Sequence, residues 1–315
     1  MKRIIFLIAI VLLSVSVKAQ TKSGSFERSS EQRKISFNPA ENLKAKESKS
    51  FSEAMELNQE GIEKALIEKD YKQAADLFRR AIDKDPTCLI CRYNLGRSYI
   101  ETEKIDEAVE IFSELVRTKS DYADAFSSLG EALSINQRYL ESIEPFRRAL
   151  ELEPNNAVTL INLAISLYQT KNYEQALECL DKAIKIKPNL VDAHLNRGVT
   201  LYALKRVKDA LSSLQVALTL NPNSAAAHNN LGMVLLRQGK RKEAHKHLTE
   251  AVRINPLYKQ AVFNLATSYL IRGERDEARK QLNSLEKLDV DLAEELRKEF
   301  SRGYVIDASQ IKSEQ

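Results

Sequence analysis

Three cysteines and four histidines are the residues of this 315-residue chain whose types could do chemistry on their own. Cys88 and Cys91 form a C-x-x-C pair, a spacing shared by redox motifs, half-zinc sites and local disulfides. Zinc asks for two further thiolate or imidazole ligands, and Cys179 is the one cysteine left. Covalent haem attachment asks for His directly after the second cysteine, where Arg92 stands. The pair is compatible with a disulfide, with two inert thiols or with redox chemistry, and these readings stay open. His194 and His228 are 34 residues apart and read as packing residues. His245 and His247 are two apart, which on one helix points them to different sides. No metal and no cofactor is expected. The chain has no G-x-S-x-G and no glycine pair with P-loop spacing, so no catalytic residue is assigned.

The polar residues that recur are asparagines. Asn94, Asn162, Asn196, Asn230 and Asn264 lie at multiples of 34 residues, with Ser128 in the one vacant place. The same ruler carries Pro86, Pro154, Pro188, Pro222 and Pro256, with Ser120 in the gap. Sequence periods of this size belong to stacks of one structural unit. With the proline as position 32, the asparagines are position 6. Position 20 holds Ala74, Ala108, Ser142, Ala176, Ala210, Ala244 and Ala278. Position 24 is bulky, from Phe78, Phe112 and Phe146 to Leu180, Leu214, Leu248 and Leu282. Position 8 is small from the second unit on: Gly96, Gly130, Ala164, Gly198, Gly232 and Ala266. Large against small at fixed offsets is what close-packed helices need.

Each unit reads as two helices. In the fourth, Leu160, Leu163, Ala164 and Leu167 fall at helical spacing, and Ala176, Leu177, Leu180, Ala183 and Ile184 do so again after Lys171-Asn172. Gly239 and Gly273 suit a left-handed helix end, and the position-32 proline blocks the second helix from running on. This helix–turn–helix unit, with Leu-Gly in its first helix and Ala…Phe/Leu…Ala…Pro in its second, resembles the tetratricopeptide repeat, TPR. Seven units run from about Met55 to Leu292. The first departs, because Gly61 and Tyr71 imply one extra residue in its first helix or turn. The expected fold is all-α, a right-handed α-solenoid of about seven repeats with a capping helix.

The resemblance implies that the first helix of each repeat lines a concave groove. The position-6 asparagines are similar there to the asparagine ladder in the TPR arm of O-GlcNAc transferases, which grips extended substrate chains. Positions 5, 9 and 12 would share the face, adding Ile161, Ile165, Tyr168, Leu195, Val199 and Tyr202 as an apolar and aromatic groove centre. A competing reading gives the asparagines only helix-to-helix bonds. The carboxylate clamp of chaperone-type TPRs is not matched: the middle repeats offer aliphatics at positions 5 and 9, and Asp192 at position 2 of the fifth.

The ends differ from the array. Met1-Lys2-Arg3, the apolar run Ile4–Val17 and the small residue Ala19 read as a secretory signal peptide over 1–19, resembling a bacterial one. An uncleaved membrane anchor is the alternative. Residues 20–50, rich in Ser, Lys, Glu and Arg, are expected to lack fixed structure. The solenoid spans 51–292, a capping helix 291–301 presents Leu292, Leu296 and Phe300 on one face, and 302–315 form a tail. Net charge is +4, falling to about +1 without Lys2, Arg3 and Lys18, so no nucleic-acid or membrane-surface argument follows.

These features point to a non-enzymatic scaffold or assembly factor, exported to the periplasm or secreted, that binds a protein or peptide segment. The alternatives are a substrate-recognition arm of an enzyme complex such as a glycosyltransferase, or a membrane-anchored cytosolic adaptor. Two structural expectations accompany this. Pro145, inside the second helix of the third repeat, should kink that helix or delay its start. Gly198 and Gly232 should face the second helix of their own repeat with no room for a side chain.

Overall fold

A computed structural model describes residues 49–301; the expected signal peptide, most of the 20–50 linker and the 302–315 tail lie outside the described residues. Among the described residues there are fifteen α-helices and no strand. They fall into two compact units divided between Lys187 and Pro188. The N-terminal unit contains α1 (Lys49–Glu63), α2 (Tyr71–Lys84), α3 (Leu89–Glu101), α4 (Ile105–Thr118), α5 (Ala123–Ile135), α6 (Tyr139–Leu152), α7 (Ala157–Gln169) and α8 (Tyr173–Ile186). The C-terminal unit contains α9 (Val191–Ala203), α10 (Val207–Leu220), α11 (Ala225–Arg237), α12 (Arg241–Ile254), α13 (Lys259–Arg272), α14 (Arg275–Leu288) and α15 (Val290–Ser301). Within each unit a helix packs on its chain neighbour, and each first helix also meets the first helix of the next repeat. That is an α-solenoid arrangement of helical hairpins.

The hairpins are held by the size pairing seen in the sequence. A Cβ added to Gly96 or Gly130 would stand 2.7 Å from the ring of Phe112 or Phe146. At Gly198 and Gly232 it would stand 2.6 and 2.7 Å from Leu214 Cγ and Leu248 Cγ. Position 8 therefore does lack room for a side chain, and position 24 fills the space. The alanines at position 20 are fully buried, as is Ser142, their one substitute. Its Oγ lies 2.8 Å from both Ser166 Oγ and the Tyr139 carbonyl, so the added hydroxyl is bonded rather than stranded.

Each first helix ends in the same turn. Lys69, Glu103, Gln137, Lys171, Lys205, Gly239 and Gly273 occupy one repeat position, and all seven have positive φ, from 56° to 81°. In the six later repeats the next residue's N–H then reaches back five positions, as from Asn172 to the Leu167 carbonyl at 2.8 Å. This satisfies carbonyls that the helix end would orphan. The extra residue of the first repeat is taken up by a π-helical turn, Lys64–Glu68, closed by the Asp70 N–H on the Lys64 carbonyl. A π turn holds more residues than an α turn, so Gly61 still meets Phe78 although they are 17 apart, not 16 as in later repeats.

Of the two effects expected of Pro145, a kink or a delayed start, the delay is absent. Helix α6 is not delayed: it begins at Tyr139, the same repeat position at which α4 and α8 begin. The packing of Ile143 and Phe146, both buried, fixes the start against the proline's preference. At the C-terminus α15 covers α13 and α14, burying Leu292, Ala293 and Leu296 against Val262, Leu282 and Leu285. Asp289 caps it, Oδ1 accepting from the Leu292 N–H at 3.1 Å.

Candidate peptide-binding face

The asparagine column divides by what stands at position 5 of the preceding repeat. Asn264 Nδ2 donates to Asn229 Oδ1 at 2.7 Å, from α13 to α11. Asn94 Nδ2 donates to Asn58 Oδ1 at 2.9 Å, from α3 to α1, one position further because of the extra residue. Ser128, the exception in the column, makes the same link from its hydroxyl to the Tyr93 hydroxyl at 3.3 Å. Asn94 and Asn264 are each 1% exposed. At these two places the amides tie first helix to first helix. The cause is chemical: position 5 there offers an oxygen acceptor, and a buried amide takes one.

For Asn196 and Asn230 the acceptor is lacking. Position 5 is Ile161 in the fourth repeat and Leu195 in the fifth. Asn196, half-buried, turns back to donate to the Asp192 carbonyl on its own helix at 2.8 Å, leaving its oxygen over. Asn162 is half-buried, and its side chain makes no hydrogen bond among the described residues; Ser127, its position-5 counterpart, is bonded to Thr159 at 3.0 Å instead. Asn230 is 5% exposed, its Oδ1 accepting from Asn229 Nδ2 at 3.3 Å. The apolar set divides too. Ile161, Leu195 and Val199 are buried, whereas Ile165, Tyr168 and Tyr202 are partly exposed. In the N-terminal unit the structure thus brings Asn162, Ile165 and Tyr168 together on α7, with the Tyr168 ring 5.2 Å from that of Tyr173 and tilted to it. In the C-terminal unit Asn196 and Tyr202 share α9.

The other candidates have structural surroundings. Cys88 and Cys91 are joined by a disulfide, Cα atoms 5.4 Å apart, and both are buried with Ala54 and Ala81. Cys88 is also the N-cap of α3, its Sγ accepting from the Cys91 N–H at 3.3 Å. Cys179 is half-buried, and burial pushes its thiol pKa up. His194 and His228 each reach the carbonyl of the position-32 proline six residues back, Pro188 at 2.8 Å and Pro222 at 3.1 Å. Arg92 does the same to Pro86 at 2.6 Å, so this bond at position 4 holds the inter-repeat turn. His245 and His247 do point apart: His245 Nδ1 lies 3.1 Å from Ser268 Oγ, His247 Nδ1 2.9 Å from His228 Nδ1. The His228–His247 contact joins two helices of one hairpin, and helical period alone gave no sign of it. Among the described residues no group of three or more His, Cys, Asp and Glu is placed to hold a metal ion, and no helix is long and apolar enough to cross a membrane.

Comparison with known proteins agrees with this architecture. The sequence matches no curated protein. Family models described as tetratricopeptide repeat match residues 65–130, 123–156, 146–178 and 225–258, and one described as TPR repeat matches 164–205 and 200–239. A tetratricopeptide repeat protein from Parabacteroides merdae is similar in structure, with TM-score 0.68 and 15% identity over 80% of this chain and 98% of that one. The anaphase-promoting-complex hetero-tetramer Cut9–Hcn1 gives TM-score 0.63 and 17% identity over 79% of this chain and 53% of that one. Pseudomonas aeruginosa pilF gives 0.56 and 20%, over 71% and 99%. At these identities the likeness is one of fold. With the repeat models joined from residue 65 to residue 258, the chain belongs to the tetratricopeptide repeat family.

Proposed function

We propose that this chain is a non-enzymatic interaction scaffold that binds an extended protein segment along the first helices of its repeats. The observation that carries this is the division of the asparagine column. Asn94 and Asn264 are consumed by helix-to-helix bonds, whereas Asn162 keeps amide capacity on α7 with partly exposed Ile165 and Tyr168, and in the other unit Asn196 keeps it on α9 with partly exposed Tyr202. An amide with an open donor or acceptor next to an apolar, aromatic surface suits main-chain binding without reading each side chain. The likeness to the O-GlcNAc transferase ladder rests, in this reading, on Asn162 and Asn196 alone. We place the protein outside the cytoplasm on the sequence of residues 1–19; intact mass of the protein purified from its cells should show a chain beginning at Gln20.

Selection from a displayed random-peptide library, with circular dichroism on the same samples, tests the binding. Asn162→Ala and Asn196→Ala should leave the melting curve nearly unchanged and weaken the selected peptides by about 0.5–1.5 kcal/mol per lost hydrogen bond. Asn94→Ala and Asn264→Ala should lower the melting temperature, with binding falling only as the folded fraction falls. Failure of the wild-type chain to select any peptide would refute the reading.

A further inference from the structure

We propose that His228 and His247 form a two-imidazole site for a divalent transition-metal ion between α11 and α12, with Cu2+ the ion it takes most tightly. Nothing in it rests on the peptide-binding face.

The two Nδ1 atoms are 2.9 Å apart, and the ring centroids 5.1 Å apart. At a metal–nitrogen length of about 2.0–2.1 Å, two imidazoles at a right angle about one ion stand about 2.9 Å apart. The pair therefore already has the spacing of neighbouring ligands in a tetragonal site, the geometry that suits Cu2+ and Ni2+. His228 is also held as a ligand is held. Its Nε2 donates to the Pro222 carbonyl at 3.1 Å, which fixes the tautomer and leaves the Nδ1 lone pair facing His247. On His247 the Nδ1 proton must leave before that nitrogen binds an ion. Its Nε2, which makes no hydrogen bond among the described residues, takes up a proton from water instead, so the ring stays neutral. Burial, then the His228 and Lys246 charges, lower the His247 pKa, which keeps the imidazole in the neutral form that a ligand needs. Both histidines are half-buried, so an ion reaches them from solvent. A turn of the His247 ring then points its nitrogen beside the hydrogen-bond line rather than along it.

The pair occurs in one hairpin. One repeat earlier the same positions hold His194 and Ser213, and Ser213 Oγ accepts from Arg197 at 2.6 Å. His194 keeps its bond to the Pro188 carbonyl all the same. The inter-repeat turn therefore accounts for His228 but not for an imidazole at position 247. Further ligands come from the surface. Glu243 stands one turn before His247 on α12 and is exposed, 3.9 Å from Lys240, and water completes the set. Glu250 is held by Arg253 at 2.7 Å. Imidazole suits copper, nickel and zinc, and among the divalent ions Cu2+ heads the affinity order.

The test is copper(II) chloride titrated into the full chain, read by electron paramagnetic resonance and by thermal melting. His228→Gln and His247→Gln are compared with wild type, and His194→Gln is the control. The wild type should bind the ion with two imidazole nitrogens in its spectrum. Its melting temperature should rise with the ion, because the unfolded chain scatters the two ligands. Either site variant should lose affinity by at least about tenfold, since losing a ligand costs no less than losing an outer-shell partner. Either should also lose the melting shift, and His194→Gln should keep both. Zn2+ and Ni2+ should follow the same pattern with weaker binding. A wild-type spectrum with fewer than two imidazole nitrogens overturns the proposal, whether or not the variants fold. So does a copper affinity that either site variant retains.

Discussion

His228 and His247 face each other Nδ1 to Nδ1 at 2.9 Å, ring centroids 5.1 Å apart, so one proton fits between them and two do not. The Pro222 carbonyl accepts from His228 Nε2, which places a neutral His228's lone pair at Nδ1 and makes His247 the donor. Around the pair stand Glu243, Lys246, Glu250 and Arg253, all on α12, with Glu250 held by Arg253 at 2.7 Å. Burial, then the His228 and Lys246 charges, lower the His247 pKa; burial, then Arg272, lower that of His245. A base whose folded pKa is depressed binds its proton more readily unfolded. Stability is therefore full above the ordinary histidine value of about 6.5 and falls as pH drops below it. Urea midpoints from pH 8 to pH 5 should decline through this window, and His247→Gln should flatten the decline. A midpoint that rises toward pH 5 would show the sign to be wrong. The repeat position of His228 was legible in the sequence. Its partner was not, because periodicity gives each helix a face but not the phase between two helices. The asparagines show the same boundary: the column was plain, but its division into bonded and open amides depended on position 5 of another repeat.

At the scale of the element, the sequence marked most ends and missed one kind of compensation. Gly239 and Gly273 announced left-handed turns, and they are left-handed. Lys69, Glu103, Gln137, Lys171 and Lys205 adopt the same conformation without the residue that favours it, because tertiary closure of the hairpin outweighs a local preference. The extra residue of the first repeat was visible from Gly61 and Tyr71; its form, a π turn, follows only once Gly61 must meet Phe78. Pro145 is the reverse case, a local signal whose expected delay of the helix start is overruled. It sits within α6 without moving the start, at the cost of one donor to the Glu141 carbonyl. Pro145→Ala restores that bond and removes the ring clash, so it should stabilise the chain by as much as about 3 kcal/mol. Chemical denaturation of the full chain reads this directly, and an unchanged or lower midpoint would mean that α6 already accommodates the ring without cost.

At the scale of the molecule, the period made the fold class legible before any single helix, since one set of offsets specifies seven similar hairpins. The division between Lys187 and Pro188 was not legible, because Pro188 stands at a repeat mark like any other. The terminal cap was legible, because Leu292 and Leu296 repeat on one face of a segment that departs from the array. A stack of repeats is stabilised by its nearest-neighbour interfaces, so damage at one end should stay near that end. Leu296 is fully buried between α15 and the last hairpin, in one cluster with Val262, Leu282 and Leu285. Leu296→Ala removes buried methyl groups and leaves a cavity, a change that costs about 2–5 kcal/mol when the whole site must be held together. In an array the loss should first free α15, then α14 and α13, whose apolar faces it covers. Hydrogen exchange should show amides of α13 to α15 losing protection, while those of α1 to α8 in the N-terminal unit keep theirs. Uniform loss of protection from α1 to α15 would instead show that all the repeats unfold as one cooperative block, and the nearest-neighbour account of this chain would fail.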